Sequence, residues 1–430
     1  MDSTVLNLGK NIGQSVTLKG WAYNFRSSGS ICFVQFRDGT GEVQIIVSKN
    51  DVDAGSWQAA EQLTIESSII VTGTVSSHPK NPDLVEVHAQ SVQLVQRAEE
   101  YPISKKEHGP EFLFDERHLW IRSNTQQAIL RIRDAAFRAI TDFMHERGFI
   151  RTDSPILTGN AAEGTTTLFE IDYFGEKAYL AQTGQLYLEA TSAALGRTYC
   201  FGPTFRAEKS KTRRHLTEFW MFEAEASFME QPENIQLQED MMVYVVQRVL
   251  KECAPELTTL ERDTTALQTT AQGNFPRIHY RDAVQKLKEL GSDMQHGDDF
   301  GADDETMLTK EFDRPIFITH FPAKIKAFYM KPDPNEPDYA LCADLLAPEG
   351  YGEIIGGSQR IDDLKLLEQR LEEHKLPKAA FEWYLDLRRF GSVPHAGFGL
   401  GLERIVTWIC GRQHVREAIP FPRTINRLQP

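Results

Sequence analysis

Residues 202–219 read GPTFRAEKSKTRRHLTEF, and residues 220–225 continue as WMFEAE. A β-rich run, a cationic loop and a second β-rich run predict a long antiparallel hairpin. On a strand, Arg206 and Glu208 lie two apart and share a face of the sheet. An arginine beside a glutamate on one face can grip a phosphate while the acid orients a neighbouring polar group. A surface hairpin with a solvated charged tip fits the same residues. The basic cluster is out of keeping with the chain, which has 47 Lys+Arg against 61 Asp+Glu and a net charge of −14. Such a mean field disfavours indiscriminate nucleic-acid binding, though a local basic face remains compatible with it.

Downstream, GFGLGLERIVTWI (397–409) places glycine at 397, 399 and 401. On a strand these bare one face, so a flat ligand or another backbone can approach closely. Glu403 and Arg404 then open a helix, whose amino end favours anions. Helix–strand packing alone accounts for such glycines equally well. Upstream, SVTLKGWAYNFR, SICFVQFRD, GEVQIIVSK, SSIIVTGTVSS and LVEVHAQSVQLVQ are five short β-rich runs broken by SSGS and DGTG turns. They predict a small OB-fold barrel, or a two-sheet sandwich, within residues 1–98. Residues 99–125 read as a linker. Residues 126–430 alternate helical stretches with runs of strands, predicting an α+β domain on an antiparallel sheet. Its first helix carries Ile129, Ile132, Ala136, Ile140 and Phe143 at helical spacing. A helical insertion is expected around residues 231–300, and KAFYMK (326–331) reads as a strand.

With 430 residues, two or three domains are expected. No apolar run approaches the roughly 20 residues that span a bilayer. The opening MDSTVLNLGKNIGQSV lacks the build of a secretory leader. Five scattered cysteines make no CxxC pair, so reduced thiols, a cytoplasmic location and no structural zinc are expected.

The hairpin and the glycine strand together resemble motifs 2 and 3 of the class II aminoacyl-tRNA synthetases. Phe205, Arg206, Glu208, His215 and Phe219 fit the first pattern, and the glycine strand ending in Glu403–Arg404 fits the second. Residues 131–155, a helix and a strand ending at Pro155, resemble motif 1, the element through which that family forms homodimers. The amino-terminal barrel is similar to that of the IIb subgroup, which comprises the aspartyl, asparaginyl and lysyl enzymes. The resemblance implies that an amino acid attacks the α-phosphate of ATP, giving an aminoacyl-adenylate and pyrophosphate, and that the acyl group then passes to the tRNA 3′ end. It implies catalytic roles for Arg206, Glu208 and Arg404. It gives Arg206 the α-phosphate, Arg214 and His215 the outer phosphates, and Phe219 the adenine, with Arg404 on the ring's other face and Gly401 in the ATP site. Asp344 and Glu353 match the subgroup's Mg²⁺-binding acids, Glu353 also lying at ATP.

The catalytic part looks most like the aspartyl/asparaginyl branch. Arg360, in GEIIGGSQR, resembles the arginine that reads the substrate side-chain oxygen. Aspartyl enzymes carry a lysine where AQTGQLYLE has Leu188, and losing that cation disfavours a buried aspartate. Glu223 is expected to accept a hydrogen bond from a neutral carboxamide and to repel a carboxylate. Glu225 is expected to face the amino acid as well. The closing PFPRTINRLQP also resembles asparaginyl enzymes. The resemblance therefore implies ATP-dependent joining of L-asparagine to tRNA(Asn), with aspartate as the alternative. Gln182, Gln185 and Glu163 join the implied amino-acid site. Phe33 and Gln44 match the pair that stacks on and reads the anticodon's central uridine, with Arg26 as a third contact.

Overall fold

The computed structural model describes residues 1–104, 106–159 and 168–430, with only the backbone of Pro82 and Asp83. Its contacts divide into two units, Met1–Glu116 and Arg117–Pro430.

In the first unit, β1 (Ser15–Ser28), β2 (Ile31–Arg37), β3 (Glu42–Ser48), β4 (Ser67–His78) and β5 (Asn81–Gln96) form a closed barrel in the order β1-β2-β3-β5-β4. Period-two alternation builds it. Cys32, Val34 and Phe36 on β2 and Val43, Ile45 and Val47 on β3 fill the interior. Phe33, Gln35 and Gln44 stand between them on the outer face, only partly covered. Gly20 permits a tight crossing, since a β-carbon there would lie 2.2 Å from the Arg37 carbonyl oxygen. The sequence pattern missed the helix Ala54–Glu61 between β3 and β4. That helix is two turns long and is started by Asp53, whose carboxylate accepts from the Ser56 N–H at 2.9 Å. Two turns are too few for a periodic signal.

In the second unit the strands are β6 (Ile150–Arg151), β7 (Leu157–Thr158), β8 (Glu170–Tyr173), β9 (Glu176–Leu180), β10 (Arg197–Phe205), β11 (Glu218–Ser227), β12 (Arg277–His279), β13 (Ile316–Thr319), β14 (Cys342–Ala347), β15 (Gly352–Gln359) and β16 (His395–Gly401). Eight of them form one sheet in the order β12-β13-β14-β15-β16-β11-β10-β6. Its pairings are antiparallel except β6/β10 and β12/β13. The strands β7, β9 and β8 make a separate small sheet. The helix Asn124–Glu146, capped by Ser123, turns Ile129, Ile132, Ala136, Ile140 and Phe143 into the core. There they meet Met241, Met242, Val245 and Val249 of the helix Gln231–Glu252.

Three local expectations differ from the structure. Residues 99–125 contain the short helices Pro110–Asp115 and Arg117–Trp120. Arg117 is fully buried and donates to the Pro420 carbonyl at 2.8 Å and to Gln126 Oε1 at 2.6 Å, so this mixed-charge stretch ends in an anchor. Residues 231–300 hold helices, but Arg277–His279 among them is strand β12 of the main sheet. KAFYMK makes only an isolated bridge, Met330 to Arg360, and its residues from Lys326 to Met330 all line a cavity. No helix among the described residues is long and apolar enough to cross a membrane.

Candidate nucleotide and amino-acid site

Strand register lays the site out. Across β11, β16, β15 and β14, one rung reads Glu223, Gly399, Gly356, Asp344. The next reads Glu225, Gly397, Ser358, Cys342. Directly paired residues share a face, so carboxylates flank a floor with almost no side chains. The glycines are required by contact. A β-carbon on Gly397 would lie 2.2 Å from both the Ala224 carbonyl oxygen and Glu225 Oε1, and one on Gly399 would lie 2.8 Å from Met221 Cε.

Over this floor lie two cavities, of about 110 and about 510 Å³, which share Arg206, Met221, Glu353 and Gly399. The smaller brings together Arg206, Arg214, His215, Phe219, Glu353, Gly401 and Arg404, every residue expected at ATP. Strand β10 ends at Phe205, so Arg206 and Glu208 do not share a strand face as expected. They belong to the turn that follows, although the Arg206 N–H still donates to the Thr217 carbonyl at 3.0 Å. The Arg206 guanidinium lies 5.4 Å from the Phe219 ring centroid. In this structure Arg206 is thus the cation over this ring. Arg404 donates to Glu353 Oε2 at 2.9 Å and to the Glu353 carbonyl at 3.0 Å. Glu208 lies 3.3 Å from His215 Nε2. That hydrogen bond, with Arg206 and Arg404 nearby, holds its carboxyl below the usual range against partial burial. Arg214 is engaged by Glu305 at 2.5 Å, Thr306 at 2.6 Å and the Gly350 carbonyl at 2.9 Å. At the hairpin tip Lys209 and Lys211 are exposed, while Arg213 reaches the Gly350 carbonyl at 3.3 Å.

The larger cavity is lined by Gln185, Glu223, Glu225, Asp344, Glu353 and Arg360 among others. Arg360 Nε donates to Glu225 Oε1 at 2.9 Å, its Nη2 donates to the same oxygen, and its Nη1 donates to Ser358 at 2.7 Å. Glu225 Oε2 is buried and takes no hydrogen bond. Burial pushes the Glu225 carboxyl up to about 7, with Arg360 opposing and Glu189 adding to the rise. Glu223 was expected to receive the substrate amide, yet its oxygens already accept from the Thr183 hydroxyl and from the Gly184 N–H at 2.7 Å. Glu225 thus keeps one oxygen without a donor, whereas both Glu223 oxygens already have one. Leu188 is fully buried and is not among the residues lining this cavity. Gln182 is buried but does not line the cavity, and Glu163 lies outside the described residues.

Asp344 and Glu353 meet over Gly356. A β-carbon on that glycine would lie 3.1 Å from Glu353 Oε1 and 3.5 Å from Asp344 Oδ1. The remaining oxygens are taken, Asp344 Oδ2 by Lys326 Nζ at 2.7 Å and Glu353 Oε2 by Arg404. Two converging hard oxygens over a residue with no side chain fit a divalent ion such as Mg²⁺. Burial, with Glu353 nearby, pushes Asp344 up to about 6 against the pull of Lys326.

Sequence reading did not find Lys326, Glu305 or the group around Glu189. Glu189 is buried against Tyr384, Arg388 and His395, which lie about 200 residues along the chain. No local pattern joins residues so far apart. On the barrel, Arg26 covers the Phe33 ring at 4.5 Å, and Gln44 Oε1 accepts from Gln35 at 3.3 Å. The three expected anticodon residues thus share one outer face.

Residues 109–425 match the family described as tRNA synthetases class II (D, K and N), and residues 16–95 match the OB-fold nucleic acid binding domain. The chain is 59% identical over 426 residues to an asparagine–tRNA ligase of Pelotomaculum thermopropionicum, covering 99% of each. It is 57% identical over 434 residues to one of Symbiobacterium thermophilum, again covering 99% of each. Its fold matches the asparaginyl-tRNA synthetase of Pyrococcus horikoshii complexed with asparaginyl-adenylate, with a TM-score of 0.95 and 45% identity, covering 98% of this chain and 97% of that one.

Proposed function

We propose, for a chain that belongs to the class II tRNA synthetases of the aspartate, lysine and asparagine group, that it joins L-asparagine to tRNA(Asn) in two steps. The asparagine carboxylate attacks the α-phosphorus of ATP and displaces pyrophosphate. The terminal hydroxyl of tRNA then attacks the acyl carbon of the adenylate and releases AMP.

The observation that carries the choice of amino acid is the Glu225–Arg360 pair, in which the buried Glu225 Oε2 accepts from no described group. A carboxamide offers an N–H to Glu225 and a carbonyl oxygen to Arg360. An aspartate carboxylate offers no N–H and sets a second negative charge against Glu225, which favours asparagine by electrostatics as well as by hydrogen bonding.

For the first step, Arg206 grips the α-phosphate where negative charge grows, and Glu208 holds His215 toward the outer phosphates. Arg214 serves those phosphates once it leaves Glu305. Adenine enters between Phe219 and Arg404, beside Gly401. Asp344 and Glu353 would hold Mg²⁺, which when bound would neutralise phosphate charge. Gln185, Gln182 and Glu163 complete the amino-acid side. Phe33, Gln44 and Arg26 read the anticodon by stacking and edge hydrogen bonds. The enzyme works in the cytoplasm as a homodimer through residues 131–155, where Ile150 is 48% exposed at the sheet edge. ATP–pyrophosphate exchange with asparagine and aspartate side by side tests the reading. Exchange with aspartate alone refutes it.

A further inference from the structure

Behind the amino-acid cavity, Glu189 lies in the helix Gln185–Leu195 and is 2% exposed. Donors surround it. Arg388 Nη2 donates at 2.7 Å, the Tyr384 hydroxyl lies 2.8 Å from both oxygens, and His395 Nε2 lies 2.9 Å away. Gln185, one turn earlier on the same helix, donates Nε2 to Glu189 Oε1 at 3.2 Å. Burial opposes ionisation of Glu189, but Arg388, His395 and Arg360 outweigh it and hold the carboxyl far below its usual range.

An ionised carboxylate only accepts. The Gln185 amide, which could turn either way, must therefore point its nitrogen at Glu189. Gln185 lines the cavity, and Oε1 is the atom left to face it. The Gln185 backbone N–H donates to Thr183 Oγ1 at 3.0 Å, and that hydroxyl donates to Glu223. One wall of the cavity thus carries the acceptors Gln185 Oε1 and Glu223, which suit an ammonium group. The other carries Glu225 and Arg360, which suit a carboxamide.

We propose that Glu189 is a positioning residue for the first step, locking the Gln185 amide so that Oε1 faces the cavity as an acceptor for the α-ammonium group of asparagine. This rests on the asparagine reading of the cavity. In Glu189→Gln the surrounding donors claim the new amide oxygen, so its nitrogen turns to Gln185. Gln185 must then offer Oε1 inward and Nε2 to the cavity, where it opposes an ammonium.

The test compares asparagine with succinamate, the same skeleton without the α-ammonium group, by calorimetry on the full chain. Wild type should prefer asparagine; if it binds neither, the asparagine reading itself fails. Glu189→Gln should cut the asparagine-to-succinamate affinity ratio about 10- to 100-fold, the size of one charge-assisted hydrogen bond. The KM for ATP should stay within about twofold, as for an interaction made only with the amino acid. Adding Gln185→Glu to that variant restores an oxygen to the cavity and the buried negative charge, and should recover the ratio. A ratio unchanged in Glu189→Gln, or equal losses for both ligands with no recovery, overturns the proposal. If burying Arg388 unpaired prevents the single variant from folding, the double variant decides, a collapsed ratio counting against the proposal.

Discussion

Gly397→Ala puts the sheet's geometry to the test. The added β-carbon would start 2.2 Å from the Ala224 carbonyl oxygen and 2.2 Å from Glu225 Oε1. Carbon–oxygen contacts in sheets settle at about 3.3–3.6 Å, so about 1 Å must be found. Either β16 moves off β11 or the Glu225 carboxylate leaves Arg360. Overpacking of this kind costs about 1–3 kcal/mol, and a weakened charge-assisted bond adds about 1.5–3 kcal/mol. At roughly 2–4 °C per kcal/mol, the melting temperature should fall by about 5–24 °C. The KM for asparagine should rise at least about tenfold, because the same carboxylate is displaced. Gly401→Ala is the control, since its β-carbon would meet nothing closer than Arg404 Cγ at 3.7 Å, and its melting shift should stay within about 2 °C. Differential scanning calorimetry and asparagine-dependent pyrophosphate exchange read both effects. Equal melting of Gly397→Ala and wild type, or equal damage from the two alanines, would refute the steric account.

Three further outcomes are expected. Arg206→Ala should abolish asparagine-dependent exchange without lowering the melting temperature by more than a few degrees; near-normal exchange removes Arg206 from the chemistry. Glu225 is the stronger acceptor for asparagine when ionised, and burial pushes its carboxyl up to about 7. Asparagine KM should therefore rise as pH falls through 7, and a flatter profile in Glu225→Gln separates this from Asp344 and Glu305, which titrate nearby. Gln44→Ala should weaken tRNA charging and spare exchange, so parallel losses in both assays contradict an anticodon role.

The hairpin and glycine strand were legible because their residues are neighbours in sequence. Arg206 to Phe219 and Gly397 to Arg404 each fit within one strand–turn or strand–helix unit. What was not legible depends on distant partners. That Glu223 is held by Thr183 and Gly184 while Glu225 keeps an oxygen without a donor depends on another segment. Lys326 lies on Asp344 from a stretch that reads as a strand and forms none. Glu189 gains meaning only from Arg388 and His395. Leu188 set the reading toward asparagine at a position that does not touch the cavity.

The rungs of the sheet also have a bearing on errors of assembly. Glu223 and Glu225 alternate along β11 with Phe222 and Ala224, which are buried in the core. A slip of one residue would exchange the two sets. Phe222 would then lie across the glycine floor, and two carboxylates would enter an apolar interior without partners, each at a cost of several kcal/mol. A misregistered sheet is therefore strongly unfavourable before it is inactive. The arrangement that holds the substrate is the same one that lets the domain fold, so wrongly paired molecules are removed by their own instability.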